Sequence, residues 1–207
     1  MITISYAITV KDELKEIQQL VPFLLKNKRP KDEIVILYDQ RNGDERVVDY
    51  LLEYNKLPNV QTWRGFFDNH FAEWKNKLTE YCKNDYIFQI DADEIPHISL
   101  LQNLPIILED NNIDLILVPR VNTVEGITQE HINKWGWRIN ENNWINYPDY
   151  QFRVYKNIST IKWVNKVHER LEGYENISYL PAEEEWSLYH PKTIERQEKQ
   201  NNYYNTL

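Results

Sequence analysis

Three acids close the apolar run Tyr86-Ile87-Phe88-Gln89-Ile90: Asp91, Asp93 and Glu94, with Pro96 just beyond. Carboxylates this close repel one another and call for water, basic side chains or a metal ion. Asp91 and Asp93 are two residues apart, so an extended backbone points both side chains to one side. Placed so, they can share a hard divalent cation, Mg²⁺ or Mn²⁺, which takes oxygen ligands and leaves positions open for phosphate oxygens. A cation held there neutralises a departing diphosphate. The bland alternative is a solvated acidic turn, with Glu94 a supporting or turn residue. Further along, His168-Glu169 sets an imidazole beside a carboxylate, Asp149 lies in an aromatic segment, and His190 precedes Pro191. Each can accept a proton, and His190 is also a competent ligand for Mn²⁺.

The elements that must position these groups alternate. Residues 3–10 and 34–38 read as strands, and the second is apolar throughout, as befits a strand covered on both faces. Between them Leu14, Ile17, Val21, Leu24 and Leu25 recur at helical spacing, with a kink or break expected at Pro22. Residues 39–44 form a turn, Val47, Val48, Leu51 and Leu52 give a second helix its buried side, and residues 60–63 make a short strand. A third helix carries Phe71, Trp74, Leu78, Tyr81 and Cys82 on one stripe, behind Asp68 as its cap. The strand 86–90 follows, so the acids stand at its carboxyl end. This order predicts an α/β/α sandwich around a mainly parallel sheet, where ligands bind beyond the strands' carboxyl ends.

After the acids the pattern changes. A short helix at 100–104 and a strand at 115–119 lead to the aromatic segment 135–151, which has no clean period. Residues 152–156 and 161–164 read as paired antiparallel strands, and a polar helix closes the chain. At 207 residues the chain suits one domain with a full core. Aromatics make up 13%, with seven Trp and fourteen Tyr, more than a core of this size needs. The formal charge of −8 disfavours a broad grip on a nucleic-acid backbone. The lone Cys82 excludes an intramolecular disulfide and a thiolate zinc cluster. With no signal-peptide pattern and no apolar run near the ~20 residues that span a bilayer, a cytoplasmic protein is expected.

Segment 71–96, with Lys75-Asn76 on its helix and Asp-Ala-Asp-Glu after its strand, resembles family 2 glycosyltransferases of the GT-A fold. The family usually has Arg-Asn where Lys75-Asn76 stands. Two further stretches are similar to a branch of that family: FRVYKNISTIKWVNKVHERL at 152–171, with its Arg-x-Tyr strand, Trp and His-Glu, and Tyr189-His190 before the closing helix. The resemblance implies a single GT-A domain over 1–207, with nucleotide-sugar binding in 1–96 and acceptor binding and catalysis in 97–207. It implies a metal-dependent, inverting transfer from a nucleoside-diphosphate sugar, a UDP-sugar by analogy, to an unidentified hydroxyl, with a sugar or glycan, a lipid-linked glycan, a protein side chain and a modified nucleobase all open as acceptors.

In that reading Thr9, Lys11, Glu13, Asp39, Lys75 and Asp91 line the donor, while Asp93 and His190, helped by Asp91, hold Mn²⁺ or Mg²⁺. Glu169 is the first choice for base, with His168 beside it and Asp149 second. Trp135, Trp137, Trp144, Tyr147 and Tyr150 face the acceptor, unless at least two of them are core. Each role has a plainer counterpart: Glu13 as a helix-start acid, Asp39 as a turn initiator, Glu169 as the ion-pair partner of Lys166 or Arg170. Two other functions compete. A haloacid-dehalogenase-like phosphohydrolase also places Asp-x-Asp after an apolar strand, but there the motif opens the domain, and here three strand candidates precede it. A binding module of the same fold would hold a nucleotide or glycan without chemistry.

Overall fold

The computed structural model describes residues 1–204. The first half alternates as the apolar spacing predicts: β1 (Ile4–Val10), α1 (Leu14–Asn27), β2 (Glu33–Asp39), α2 (Glu45–Tyr54), β3 (Val60–Gly65), α3 (Phe71–Tyr81) and β4 (Tyr86–Asp91). The second half comprises β5 (Ile95–Pro96), α4 (Ile98–Asp110), β6 (Leu115–Val118), β7 (Arg120–Glu125), α5 (Gln129–Trp135), β8 (Gln151–Lys156), β9 (Lys162–Val164), β10 (Arg170–Glu172), β11 (Ile177–Tyr179), β12 (Leu188–Thr193) and α6 (Ile194–Tyr204). A seven-stranded sheet runs in the order β11-β6-β8-β4-β1-β2-β3. Within it β4, β1, β2 and β3 are parallel, and β8 is antiparallel to both its neighbours.

Alternation along the strands divides the core into two layers. On one face Tyr6, Ile8, Ile34, Ile36, Phe88 and Ile90 meet α1, α2 and α4. On the other, Ala7, Val35, Leu37, Ile87 and Tyr155 meet Ala72, Trp74 and Leu78 of α3 and Trp163 and Leu171 of the β9–β10 pair. Each fully buried Leu, Ile or Phe contributes about 1.5–3 kcal/mol, so both layers hold the sheet rigid under the β4 terminus. Beyond that terminus a small sheet, β5-β12-β7, stands over the ends of the parallel strands. Among the described residues no helix is long and apolar enough to cross a membrane.

Several local expectations are corrected. Helix α1 runs unbroken through Pro22. The cap of α3 is His70, whose Nδ1 accepts from the Glu73 amide at 3.3 Å, while Asp68 pairs with Arg41 at 2.9 Å. The helix expected at 100–104 extends over Ile98–Asp110, because Leu100, Leu101, Leu104, Pro105 and Leu108 all lie on its buried face. Strands β8 and β9 do not pair: β8 inserts between β4 and β6, and β9 pairs with β10. Apolar residues on both faces of β8 suit it to the interior of a sheet, not to one arm of an exposed hairpin.

Candidate active site

Strand β4 ends at Asp91, and Asp93 lies in the turn that follows. The two-residue alternation of an extended chain therefore stops before Asp93, and the two aspartates take different partners, contrary to the shared-face expectation. Asp91 turns toward β8, where Arg153 Nη2 donates to its Oδ2 at 2.6 Å, and Lys75 Nζ stands 3.9 Å from its Oδ1. Burial alone would raise the Asp91 carboxyl; Arg153 and then Lys75 outweigh it and hold the pKa at about 2. Asp93 faces the small sheet, with its Oδ2 3.2 Å from His190 Nε2 and 3.4 Å from an Arg196 nitrogen. Burial again opposes ionisation, but a hydrogen bond and charge from His190 in its protonated form, then Lys192 and Arg196, pull its pKa well below the carboxylate range. Burial pushes His190 itself down, despite Asp93.

A carboxylate oxygen and an imidazole nitrogen facing one another form a mixed O/N donor pair suited to Mn²⁺, and so fit the implied cation. Among the described residues no cluster of three or more His, Cys, Asp or Glu surrounds that point. Asp93 and His190 are thus the two side chains that could hold such a cation, with phosphate or water oxygens to complete its shell. Asp91, committed to Arg153, is not one of them in this arrangement.

Glu94 is more than a turn residue. Its side chain is fully buried, accepts from the Asp91 amide at 3.1 Å, and joins Arg153 at 2.6 Å and Arg120 at 3.1 Å. Arg120 also donates to Asp149 through Nε at 3.0 Å and Nη2 at 2.7 Å. Asn122 adds a third bond to the same Asp149 oxygen at 2.8 Å, and Gln151 a bond to the other at 2.8 Å. Burial would raise Asp149; Arg120 and then these hydrogen bonds bring it below its ordinary pKa. An anchor so saturated makes a poor base.

Glu169 comes to the same strand end from the other side. Its loop carries left-handed residues at Asn165 and His168 and is tied to α3 by the Phe71 amide on Lys166 O at 3.0 Å. Glu169 meets neither Lys166 nor Arg170, which pairs with Glu172; its partner is the buried Lys75 at 2.5 Å. Lys75 Nζ also lies 4.5 Å from the Trp163 ring centroid, and Asn76 clamps β9 through Trp163 O and N, both at 2.9 Å. Lys75-Asn76 therefore joins α3 to the loop that presents Glu169. His168 is exposed.

The remaining expected residues scatter. Thr9 is in register with Asp91 across β1 and β4. Glu13 accepts from the amides of Lys11 and Asp12 at 2.8 and 3.2 Å and reaches Arg196 at 3.6 Å, and burial raises its pKa. Asp39 is buried and spends its oxygens on the amides of Arg41 and Phe67 and on Asn42, the turn role. The five aromatics form no single wall, and none is fully buried: Trp135 packs on Trp137, Trp144 on Tyr147, and Tyr150 on Tyr179. A cavity of about 570 Å³ opens instead among Glu16, Thr123, Asn143, Lys192 and Arg196, the last of which lies 3.4 Å from Asp93. Arg120, Asn122, Lys192 and Arg196 were not singled out by their sequence; lone basic or amide residues in polar strands and a polar helix carry no local signal. Arg153 stands in the Arg-x-Tyr motif, which assigns it no partner.

Residues 5–170 match the model of glycosyl transferase family 2. No curated protein matches the chain. Among solved structures, residues 1–349 of S. aureus TarS give a TM-score of 0.64 at 13% identity, over 92% of this chain and 60% of that one. The same TarS fragment in complex with UDP-GlcNAc gives 0.64 at 14% identity, over 93% and 59%. The chain thus spans about three-fifths of the length of those structures, and at such identity the likeness speaks for the fold, a GT-A α/β sandwich. Because the family model runs from β1 to the first residue of β10 and takes in both aspartates and Glu169, the chain belongs to glycosyl transferase family 2.

Proposed function

We propose that this chain transfers a sugar from a nucleoside-diphosphate sugar to an acceptor hydroxyl, with inversion and with a divalent cation at Asp93 and His190. The observation that carries the reading is the Asp93–His190 pair at 3.2 Å at the carboxyl end of β4, in a family 2 chain. TarS was crystallised with UDP and with UDP-GlcNAc, which makes a UDP-sugar the first donor to try. The donor's nucleoside lies against residues 1–96, its diphosphate reaches across to His190, Lys192 and Arg196, and the acceptor lies against the rest of 97–207. A bound Mn²⁺ or Mg²⁺ supplies positive charge to the diphosphate.

The protein's own groups do the rest. Lys192 and Arg196 border the Asp93 carboxylate and add positive charge where the diphosphate lies. Arg153 fixes Asp91, and through Glu94 it fixes the turn that carries Asp93. Glu169 accepts the acceptor's proton as the new bond forms to the anomeric carbon and the bond to the diphosphate oxygen breaks, its electrons leaving with that oxygen.

A thermal-shift screen of UDP, GDP, CDP, dTDP and their sugars, with Mn²⁺ or with chelator, tests the reading. A ligand at 100 times its Kd stabilises the folded state by about 2.7 kcal/mol, which raises Tm by roughly 5–10 °C. One nucleotide should shift the melt in Mn²⁺ only, and its sugar should be consumed with an acceptor present. No shift with any nucleotide would sink the donor reading. Hydrolysis of p-nitrophenyl phosphate would favour the phosphohydrolase, and binding without turnover across donors and acceptors the binding module.

A further inference from the structure

We propose that Asn122 is a positioning residue: it fixes the tautomer of His190 and thereby leaves Nε2 free, opposite Asp93, to hold a divalent cation. The inference rests on the reading of Asp93 and His190 as the cation's ligands. It starts at Asp149, whose carboxylate only accepts hydrogen bonds. Asn122 must therefore turn its amide nitrogen to Asp149 Oδ2, 2.8 Å away, and its carbonyl oxygen then points at His190 Nδ1, 2.7 Å away. A carbonyl oxygen cannot donate, so the hydrogen of that bond belongs to Nδ1.

A neutral imidazole carries one N–H, so Nε2 presents its lone pair to Asp93 Oδ2 at 3.2 Å. Arg196 stands 3.4 Å from the same Asp93 oxygen, and two lone pairs so placed are a donor pair that a divalent cation can share. A histidine that ligates a metal characteristically gives its other N–H to a carboxylate or carbonyl that sets ring orientation. Here that outer partner is the Asn122 carbonyl, backed by Asp149 and Arg120. The backbone holds it still: Asn122 is in register with His190 across β7 and β12, and its main-chain carbonyl accepts from the Ile145 amide at 2.9 Å. Nothing in the sequence around Asn122 marks this role, which exists only once β7 and β12 lie side by side.

Two measurements on the purified protein test it, neither of which needs donor or acceptor. Nitrogen-15 NMR of metal-free wild-type protein at pH 8, with His190 assigned from the spectrum of His190→Ala, should show a neutral ring protonated at Nδ1. A ring protonated at Nε2, or at both nitrogens, overturns the proposal. Mn²⁺ titration followed by the EPR signal of free Mn²⁺ should show Asn122→Leu binding about 10- to 100-fold more weakly than wild type. The same substitution should cost nothing further in a His190→Ala background. Unchanged Mn²⁺ affinity in Asn122→Leu, an equal loss in His190→Ala, or no Mn²⁺ binding by wild type each overturns it. If Asn122→Leu does not fold, the wild-type tautomer decides alone. A protein that passes both tests yet transfers no sugar refutes the glycosyl-transfer reading and leaves this inference standing.

Discussion

Arg153→Met removes the guanidinium that joins Asp91 to Glu94 and leaves an apolar side chain of similar reach in its place. In the wild type a single nitrogen, Nη2, lies 2.6 Å from both Asp91 Oδ2 and Glu94 Oε1. Side-chain exposure is 3% for Arg153, 0% for Glu94 and 31% for Asp91. Lowering Asp91 from 3.8 to about 2 corresponds to roughly 2.5 kcal/mol in favour of its charged form. Lys75 supplies part of that and solvent screens part, so about 1–2 kcal/mol is assigned to Arg153. Glu94 keeps Arg120 at 3.1 Å but loses one charge-assisted bond, a further 1.5–3 kcal/mol or so. The expected loss is about 3–4 kcal/mol, within the range for breaking a buried pair, and lowers Tm by roughly 10 °C.

Urea unfolding at a series of pH values is the assay. A carboxylate depressed in the folded state stabilises fully above its unfolded pKa of about 3.9, and that share disappears as pH falls through the folded value. For Asp91 the window lies between about pH 4 and about 2. The gap between wild type and Arg153→Met should be complete at pH 7 and should narrow toward pH 2. Equal midpoints at pH 7, or a gap that widens on acidification, would refute the reasoning that two carboxylates depend on this arginine.

Four other outcomes are expected. Asp93→Asn should melt within a few degrees of wild type but lose Mn²⁺-dependent nucleotide binding; a normal Mn²⁺ response in a calorimetric titration would remove Asp93 from the cation site. Glu169→Gln should lower kcat by about 10²- to 10⁴-fold with donor KM nearly unchanged, and a change confined to KM would count against its role as base. Lys192→Gln should weaken nucleoside-diphosphate binding by about tenfold while leaving the bare nucleoside unaffected, since one charged contact is lost. Cys82 is buried in the layer between the sheet and α3, and burial pushes its thiol up to about 12, so it should resist thiol reagents until urea unfolds the chain; rapid labelling of native protein would contradict that burial.

Long, regular signals were legible. The apolar runs of β1, β2 and β4 and the stripes of α1 and α3 fall where their spacing places them, and the acids stand at a strand end as read. What escaped has physical causes. Strands β7 and β12, RVNTVE and LYHPKT, carry charges, an amide and a proline, because one face of each borders a polar site and not a core. Their pairing, which brings Asn122 to His190, is a contact between residues 68 positions apart. The split of Asp91 from Asp93 escaped for a different reason: period-two alternation holds only inside a strand, and β4 ends at the first aspartate.

The contrast between Asp149 and Glu169 bears on which acid would take the proton in the proposed transfer. Asp149 accepts four hydrogen bonds, three of them on Oδ2, and every one favours its ionised form. Protonating it would leave Arg120 with Glu94 as its one carboxylate partner among the described residues and would loosen Asn122, and with Asn122 the orientation of His190. Glu169 accepts one bond among the described residues, from Lys75, on Oε1, and its side chain is 17% exposed. Neutralising Glu169 would leave a buried ammonium unpaired, a costly state, were Lys75 not also 3.9 Å from Asp91 and above the Trp163 ring. With Asp91 on its other side, Lys75 keeps a carboxylate neighbour even when Glu169 is neutral. The site thus keeps one acid, Asp149, fixed in its charge and leaves another, Glu169, free to change.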